Sequence, residues 1–179
     1  LQGLNGAQSA DMLSRHLLEV NEEILSLIFY ALWVYHADMR LMYQSLKSEN
    51  ASVAIEMVET SIRGQNLPYL LPLIDDLPLD EKIEKGRKLF NLVLRDEPER
   101  LLTFLSHSED TLTRMLSLCV MSELMPNVAF IPVIESLLDD EDVFVRQVAE
   151  FAYARQTNKE AKMPEIIEII NKLKTFALF

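Results

Sequence analysis

Glycine is almost missing from the part of the chain that has to fold. Of four glycines, Gly3 and Gly6 lie in the first six residues, which leaves Gly64 and Gly86 for everything that follows. Few positions therefore tolerate the left-handed backbone of tight hairpin turns. Apolar residues recur at steps of three and four, as in Leu101, Leu102, Leu105 and again Leu112, Met115, Leu116, Cys119 and Val120. No sustained alternation with period two interrupts them, so the pattern is that of amphipathic helices. Helices are expected over 9–20, 22–36, 38–46, 51–63, 67–74, 80–95, 98–106, 109–125, 128–138, 141–156 and 163–175. Their junctions carry capping chemistry. Ser106 and Glu109 have the spacing of a capping box, Asp80 and Asp140 are placed to accept from free N–H groups, and Pro98 and Pro164 suit a first helical turn.

These helices repeat. Short helices that run into acidic turns are anchored by Leu46, Leu73, Leu105 and Leu137, and Pro68, Pro98, Pro132 and Pro164 recur beside them. Both sets return at about 32 residues. The clearest unit, Ile131 to Gln156, reads as a short helix, an acidic turn and a longer helix. A pair of this kind cannot bury its apolar face alone, so neighbouring pairs are expected to stack and complete one another's core.

The run Leu137-Leu138-Asp139-Asp140-Glu141-Asp142, followed by Val145-Arg146 and by Ala149 and Ala152, resembles the HEAT-repeat pattern. The preceding unit keeps the turn, Ser108-Glu109-Asp110, and the arginine, Arg114. The unit at Leu73 has Lys82 at that place and the unit at Leu46 has Ile55. The resemblance implies an all-α fold, a right-handed α-α superhelix of antiparallel helix pairs. Residues 9–175 are expected to form this domain, with 1–8 a disordered or linker segment and 176–179 the start of a linker to a following domain. It also implies that Arg114 and Arg146 reach acidic turns at Asp139 and Asp140, either as a structural ladder or as an anion-binding groove.

A narrower resemblance follows from Ala54-Ile55-Glu56-Met57-Val58-Glu59 and Leu70-Leu71-Pro72-Leu73-Ile74-Asp75-Asp76. These segments are similar to HEAT regions of bacterial membrane proteins of the ATP/ADP nucleotide translocase type, with Ala54, Glu56, Glu59, Pro72, Asp75 and Asp76 as the motif residues. The end of the chain, Leu173 to Phe179, looks like the lead-in to a cyclic nucleotide-binding domain. What the resemblance implies is a soluble part on the cytoplasmic side, tethered to the inner membrane by the longer protein, with Phe176, Leu178 and Phe179 in contact with a following domain or a second copy. A chain that opens on Leu1 is expected to be part of something longer.

Charge and composition narrow the function. Residues 1–90 carry 8 cations against 13 anions and residues 91–179 carry 9 against 15, so the formal charge of −11 is spread over the chain and offers no basic half to nucleic acid. The most apolar stretch, Ile24 to Tyr35, runs 12 residues, short of the roughly 20 that span a bilayer. It is expected to be a buried helix, without insertion of this chain into a membrane. Cys119 lies between Leu118 and Val120 with no nearby cation to activate it, and His16, His36 and His107 share no metal-ligand spacing. The run Asp139 to Asp142 lacks the ligand alternation and glycine of a calcium loop, and helix capping accounts for it better. Met115, Met121 and Met125 with Leu118 and Leu124 nearly encircle one helix, which is expected to be core.

The chain is thus expected to be a non-catalytic interaction or coupling module that binds no cofactor and no metal. Its expected partners are other domains of the same protein, another protein, or a second copy. The alternative is an enzyme on a HEAT-like scaffold, of the DNA glycosylase or bilin lyase kind.

Overall fold

The computed structural model describes residues 8–48, 51–62, 67–91, 97–160 and 162–169. Among these residues the fold is all-helical, with no strand. The helices are α1 (Gln8–Trp33), α2 (Met39–Leu46), α3 (Ala51–Ser61), α4 (Leu67–Ile74), α5 (Leu79–Phe90), α6 (Pro98–Leu105), α7 (Thr111–Glu123), α8 (Phe130–Glu135) and α9 (Val143–Gln156). A short helix over 165–169 follows. The two helices expected over 9–20 and 22–36 are one, α1, because nothing from Gln8 to Trp33 is Gly or Pro and Asn21 alone is too weak to break a helix.

The sequence period is visible in where helices begin. The second helices α5, α7 and α9 start at Leu79, Thr111 and Val143, the same interval each time, and α4, α6 and α8 start at Leu67, Pro98 and Phe130. The marker prolines sit at differing places in this frame. Pro98 opens α6, Pro132 lies inside α8, and Pro164 precedes 165–169.

The chain divides into two compact units, one made of Leu1–Leu18 and Arg95–Phe179 and the other of Glu19–Leu94. The stretch 9–175 is thus distributed over both. In the first unit α6 pairs with α7 and α8 with α9, and α7 also packs along α9. Near the start of α7, Arg114 meets Asp140 in the turn before α9. At the other end, the Gln156 side chain of α9 donates to the carbonyls of Met121 and Leu124. Matched contacts at both ends mean that α7 and α9 run in the same direction.

The first unit has the larger core. Leu102, Leu116, Leu118, Val120, Met121, Ile134, Val145, Val148, Ala149 and Ala152 are all sealed from solvent. Ten consecutive residues of α7, Thr113 to Ser122, are buried, so this helix is covered around its whole circumference. The expectation of core holds for Met115 and Met121, whereas Met125 lies past the helix end and is 86% exposed. Cys119 is buried among these side chains. Ala10 and Leu13 of α1 join the same core.

In the second unit the core is smaller: Phe29, Met39, Met42, Val58, Ile62, Leu70 and Ile74, with Leu25, Ile28 and Leu32 of α1 beside them. Helix α5 has no buried residue. The segment Ile24 to Tyr35 is not the buried helix expected. Phe29 is buried and Ile28 half-buried, but Ile24, Leu27, Tyr30, Trp33, Val34 and Tyr35 are exposed. The physical reason is that α1 is apolar on two opposite faces and the second unit covers only one of them.

Candidate functional site

The two acidic turns of the first unit, Ser108 to Asp110 and Asp140 to Asp142, are built alike, interaction by interaction. Asp110 and Asp142 are the N-caps of α7 and α9. The first accepts from the Thr113 N–H at 2.6 Å, the second from the Phe144 N–H at 2.8 Å and the Val145 N–H at 3.4 Å. Two residues earlier, Ser108 Oγ accepts from the Asp110 N–H at 3.2 Å, and Asp140 Oδ1 accepts from the Asp142 N–H at 2.9 Å. Arg114 donates to the carbonyls of Ser108 and Glu109 at 2.9 and 3.0 Å. Arg146 donates in the same way to those of Asp140 and, at 3.1 Å, of Glu141. Each arginine therefore stitches its helix to carbonyls five and six residues upstream, in its own turn.

Arg114 does more. Its Nη2 donates to Asp140 Oδ1 at 3.2 Å, and its Nε stands 3.2 Å from Asp140 Oδ2 as an ion pair without hydrogen-bond alignment. Both side chains keep only about a tenth of their exposure (9% and 10%). This contact joins the two successive turns. Asp139 is exposed.

The capping assignments are corrected in part. Ser106 follows α6 as its C-cap and its hydroxyl donates to the Thr103 carbonyl, so Ser106 and Glu109 form no capping box and Asp110 caps α7. The N-cap of α9 is Asp142, not Asp140, which the turn uses to bind Arg114 and the Asp142 N–H. Pro78 precedes α5, and Asp80 lies inside its first turn.

Of the translocase-like motif residues, Ala54 and Pro72 are buried and Glu56, Glu59 and Asp76 are exposed. Asp75 is half-buried and pairs with Lys85 at 3.2 Å, so in this turn the cation comes from Lys85 rather than Lys82. Nothing brings these residues together as a site. Phe176, Leu178 and Phe179 lie outside the described residues.

Sequence spacing carries no sign of the contacts that join α1 to α7. Ser9 donates from both its N–H (2.9 Å) and its hydroxyl (2.6 Å) to Glu123. His16 Nε2 lies 2.7 Å from Asp110 Oδ2 and 3.1 Å from Thr113 Oγ1. Residues 94 to 114 positions apart carry no local signal of such pairing. Burial pushes the Asp110 carboxyl up, but the Thr113 hydroxyl, His16 and the Thr113 N–H outweigh it and hold the group below the usual carboxylate range. The trio resembles a nucleophile, base and acid only in composition. One imidazole nitrogen faces both Asp110 and Thr113, so there is no second nitrogen orienting the ring as a relay requires. Its work is to hold α1.

Among the described residues, no group of three or more His, Cys, Asp or Glu side chains is placed to hold a metal ion, and no helix is long and apolar enough to cross a membrane. An open cavity of about 750 Å³ at the ends of α7 and α9 gathers Arg155, Lys159 and Lys162 with Glu160. These charges are all exposed, and hydrated ions of this kind bind an anion weakly.

A second cleft, of about 500 Å³, lies within the second unit. Helix α1 contributes Ser26, Phe29, Tyr30 and Trp33, and α2 contributes Arg40, Tyr43 and Gln44. The first set falls at i, i+3, i+4 and i+7 and the second at i, i+3 and i+4, so each is one face of a helix. The Phe29 and Tyr43 rings meet at 5.2 Å and those of Tyr30 and Trp33 at 5.6 Å. The polar groups are the hydroxyls of Ser26, Tyr30 and Tyr43, the indole N–H of Trp33, the Gln44 amide and the Arg40 guanidinium. None of them is a general base near neutral pH, so the cleft is equipped to hold apolar surface. Comparison with family models, with curated proteins and with solved structures finds no match.

Proposed function

We propose that the chain is a non-catalytic helical-repeat interaction module, whose helix pairs continue as a right-handed, HEAT-like stack. One observation carries the reading. The two turns of the first unit repeat one another, and their arginines and carboxylates are spent on the turns themselves and on Arg114–Asp140. A fold whose charged residues serve its own repetition has surface, rather than chemistry, to offer a partner. The exposed apolar side chains of the second unit fit that use.

The module's place in a translocase-like membrane protein, on the cytoplasmic side and next to a cyclic nucleotide-binding domain, is a proposal that rests on the likeness of segments 54–59, 70–76 and 173–179. In the longer protein, cyclic nucleotide should alter hydrogen-exchange protection over residues 163–179. Unchanged protection despite proven nucleotide binding would remove the coupling role. The interaction reading itself is tested by photo-crosslinking in cells from a benzoyl-phenylalanine at Tyr35, which is 84% exposed. Discrete protein adducts are expected; their absence in cells that express the folded chain would overturn the reading.

A further inference from the structure

The outer face of α1 has no cover in the second unit. Glu23, Leu27 and Tyr30 follow one another at i, i+4 and i+7 as a single stripe that Val34, the first residue after the helix, extends, and it lies opposite the buried stripe of Leu25, Ile28, Phe29 and Leu32. Between Ile24 and Tyr35, the six exposed apolar side chains keep from 38% to 84% of their exposure. At about 200 Å² of accessible surface per large side chain, the five on this side of the helix, without Tyr35, which falls about 100° round from Val34, leave roughly 600 Å² in the open. The largest patch on an ordinary monomer is about 300–600 Å². One side of a standard protein interface takes about 800 Å².

We propose that this face is the contact with a second copy of the chain, made by antiparallel packing of the two α1 helices about a two-fold axis. The inference rests on the interaction-module reading and names its partner. Two features of the stripe select a second copy. First, its charges are arranged head to tail. Exposed Glu19 and Glu23 mark one end, and exposed Arg40, held beside Trp33 by the α1–α2 cleft, marks the other. An antiparallel pairing centred between Ile28 and Phe29 sets Leu27 against Tyr30 of the second copy. It brings Glu23 beside Arg40 of the second copy, and the two-fold axis makes every such contact twice. Second, a lipid surface is a poor occupant, because interfacial helices flank their apolar face with Lys and Arg. Here the flank sets Glu19, Glu22 and Glu23 against Arg40, and the Lys47 ammonium is 2.6 Å from Glu22.

Sedimentation velocity over a range of concentrations tests this, with circular dichroism to confirm that each variant keeps its helices. The chain is expected to form a dimer. Leu27→Glu puts a carboxylate at the centre of the contact and should raise the dimer dissociation constant roughly a hundredfold. Arg40→Glu and Glu23→Arg, both at exposed positions, should each raise it about tenfold, and the double variant should recover most of the loss. That recovery separates this register from unspecific apolar sticking, and it does not depend on Leu27→Glu folding. A monomeric chain overturns the proposal, as does a dimer indifferent to Leu27→Glu and Arg40→Glu. So does binding to vesicles of anionic and zwitterionic lipid that Leu27→Glu abolishes while the chain stays monomeric. In the crosslinking experiment above, adducts to a different protein alone would overturn the second copy and leave the interaction reading standing.

Discussion

Replacing Asp140 with alanine tests how the successive turns are held together. Arg114 is 7% exposed, and two of its guanidinium nitrogens lie 3.2 Å from the Asp140 carboxylate. Removing one partner of a buried ion pair leaves the other charge in a medium that solvates it poorly, at a cost of about 3–5 kcal/mol. Here the guanidinium keeps the carbonyls of Ser108 and Glu109, which favours the lower end. The Asp142 N–H also loses its acceptor. We expect Asp140→Ala to destabilise the first unit by about 3 kcal/mol. Asp140→Asn, which retains an oxygen for that N–H, should cost about 1–2 kcal/mol. Arg146→Met removes only bonds to its own turn from a half-buried side chain and should cost about 1 kcal/mol. In Arg114→Met with Asp140→Ala no buried charge is stranded, so the pair should cost about 2 kcal/mol less than the sum of the single losses. Native-state hydrogen exchange at the α7 amides reads the first unit alone. A loss below about 1 kcal/mol for Asp140→Ala, or strict additivity of the double variant, would show that no buried pair joins the turns.

Two further outcomes follow from the same contacts. The folded pKa of Asp110 lies below its unfolded value, so its contribution is present above about pH 4 and is lost as pH falls through the folded pKa. Asp110→Asn should lower stability at pH 7 and shrink the loss between pH 5 and pH 2.5; an unchanged acid profile in thermal melts would count against the His16–Asp110–Thr113 contact. Leu116→Ala, at a side chain 1% exposed, should cost about 2–5 kcal/mol. Met125→Ala should stay within about 0.5 kcal/mol, and equal losses in urea unfolding would contradict the burial of α7.

Local chemistry was the legible part of the sequence. The helix expected over 67–74 has those bounds in the structure, since its apolar run ends at the two carboxylates Asp75 and Asp76. The repeat period shows directly in the helix starts. Boundaries failed where one acidic residue had to be chosen from several. In Ser106 to Asp110 the cap falls on the residue whose carboxylate reaches the Thr113 N–H, and that depends on where α6 ends. Long-range contacts such as Ser9–Glu123 were beyond reach, because no periodicity links residues 114 apart. The Ile24 to Tyr35 segment misled because hydrophobicity records that a face requires cover, not whether the same chain supplies it. Of the residues the repeat pattern set together, Arg114 lies beside Asp140, whereas Arg146 reaches only carbonyls of its own turn and Asp139 is exposed.

Whether helix pairs repeat in register, α7 onto α9, is decided by nitroxide distances within the first unit. Leu112 of α7 and Phe144 of α9 are equivalent positions, both partly exposed. Packed helix axes lie about 8–10 Å apart, so labels at Leu112→Cys and Phe144→Cys should show strong dipolar broadening. Moving the second label from Phe144 to Glu150, also exposed and further along α9, adds about 9 Å along the axis and should weaken the broadening clearly. Equal broadening for the two pairs, or a stronger signal for Leu112 with Glu150, would contradict the register on which the repeat rests.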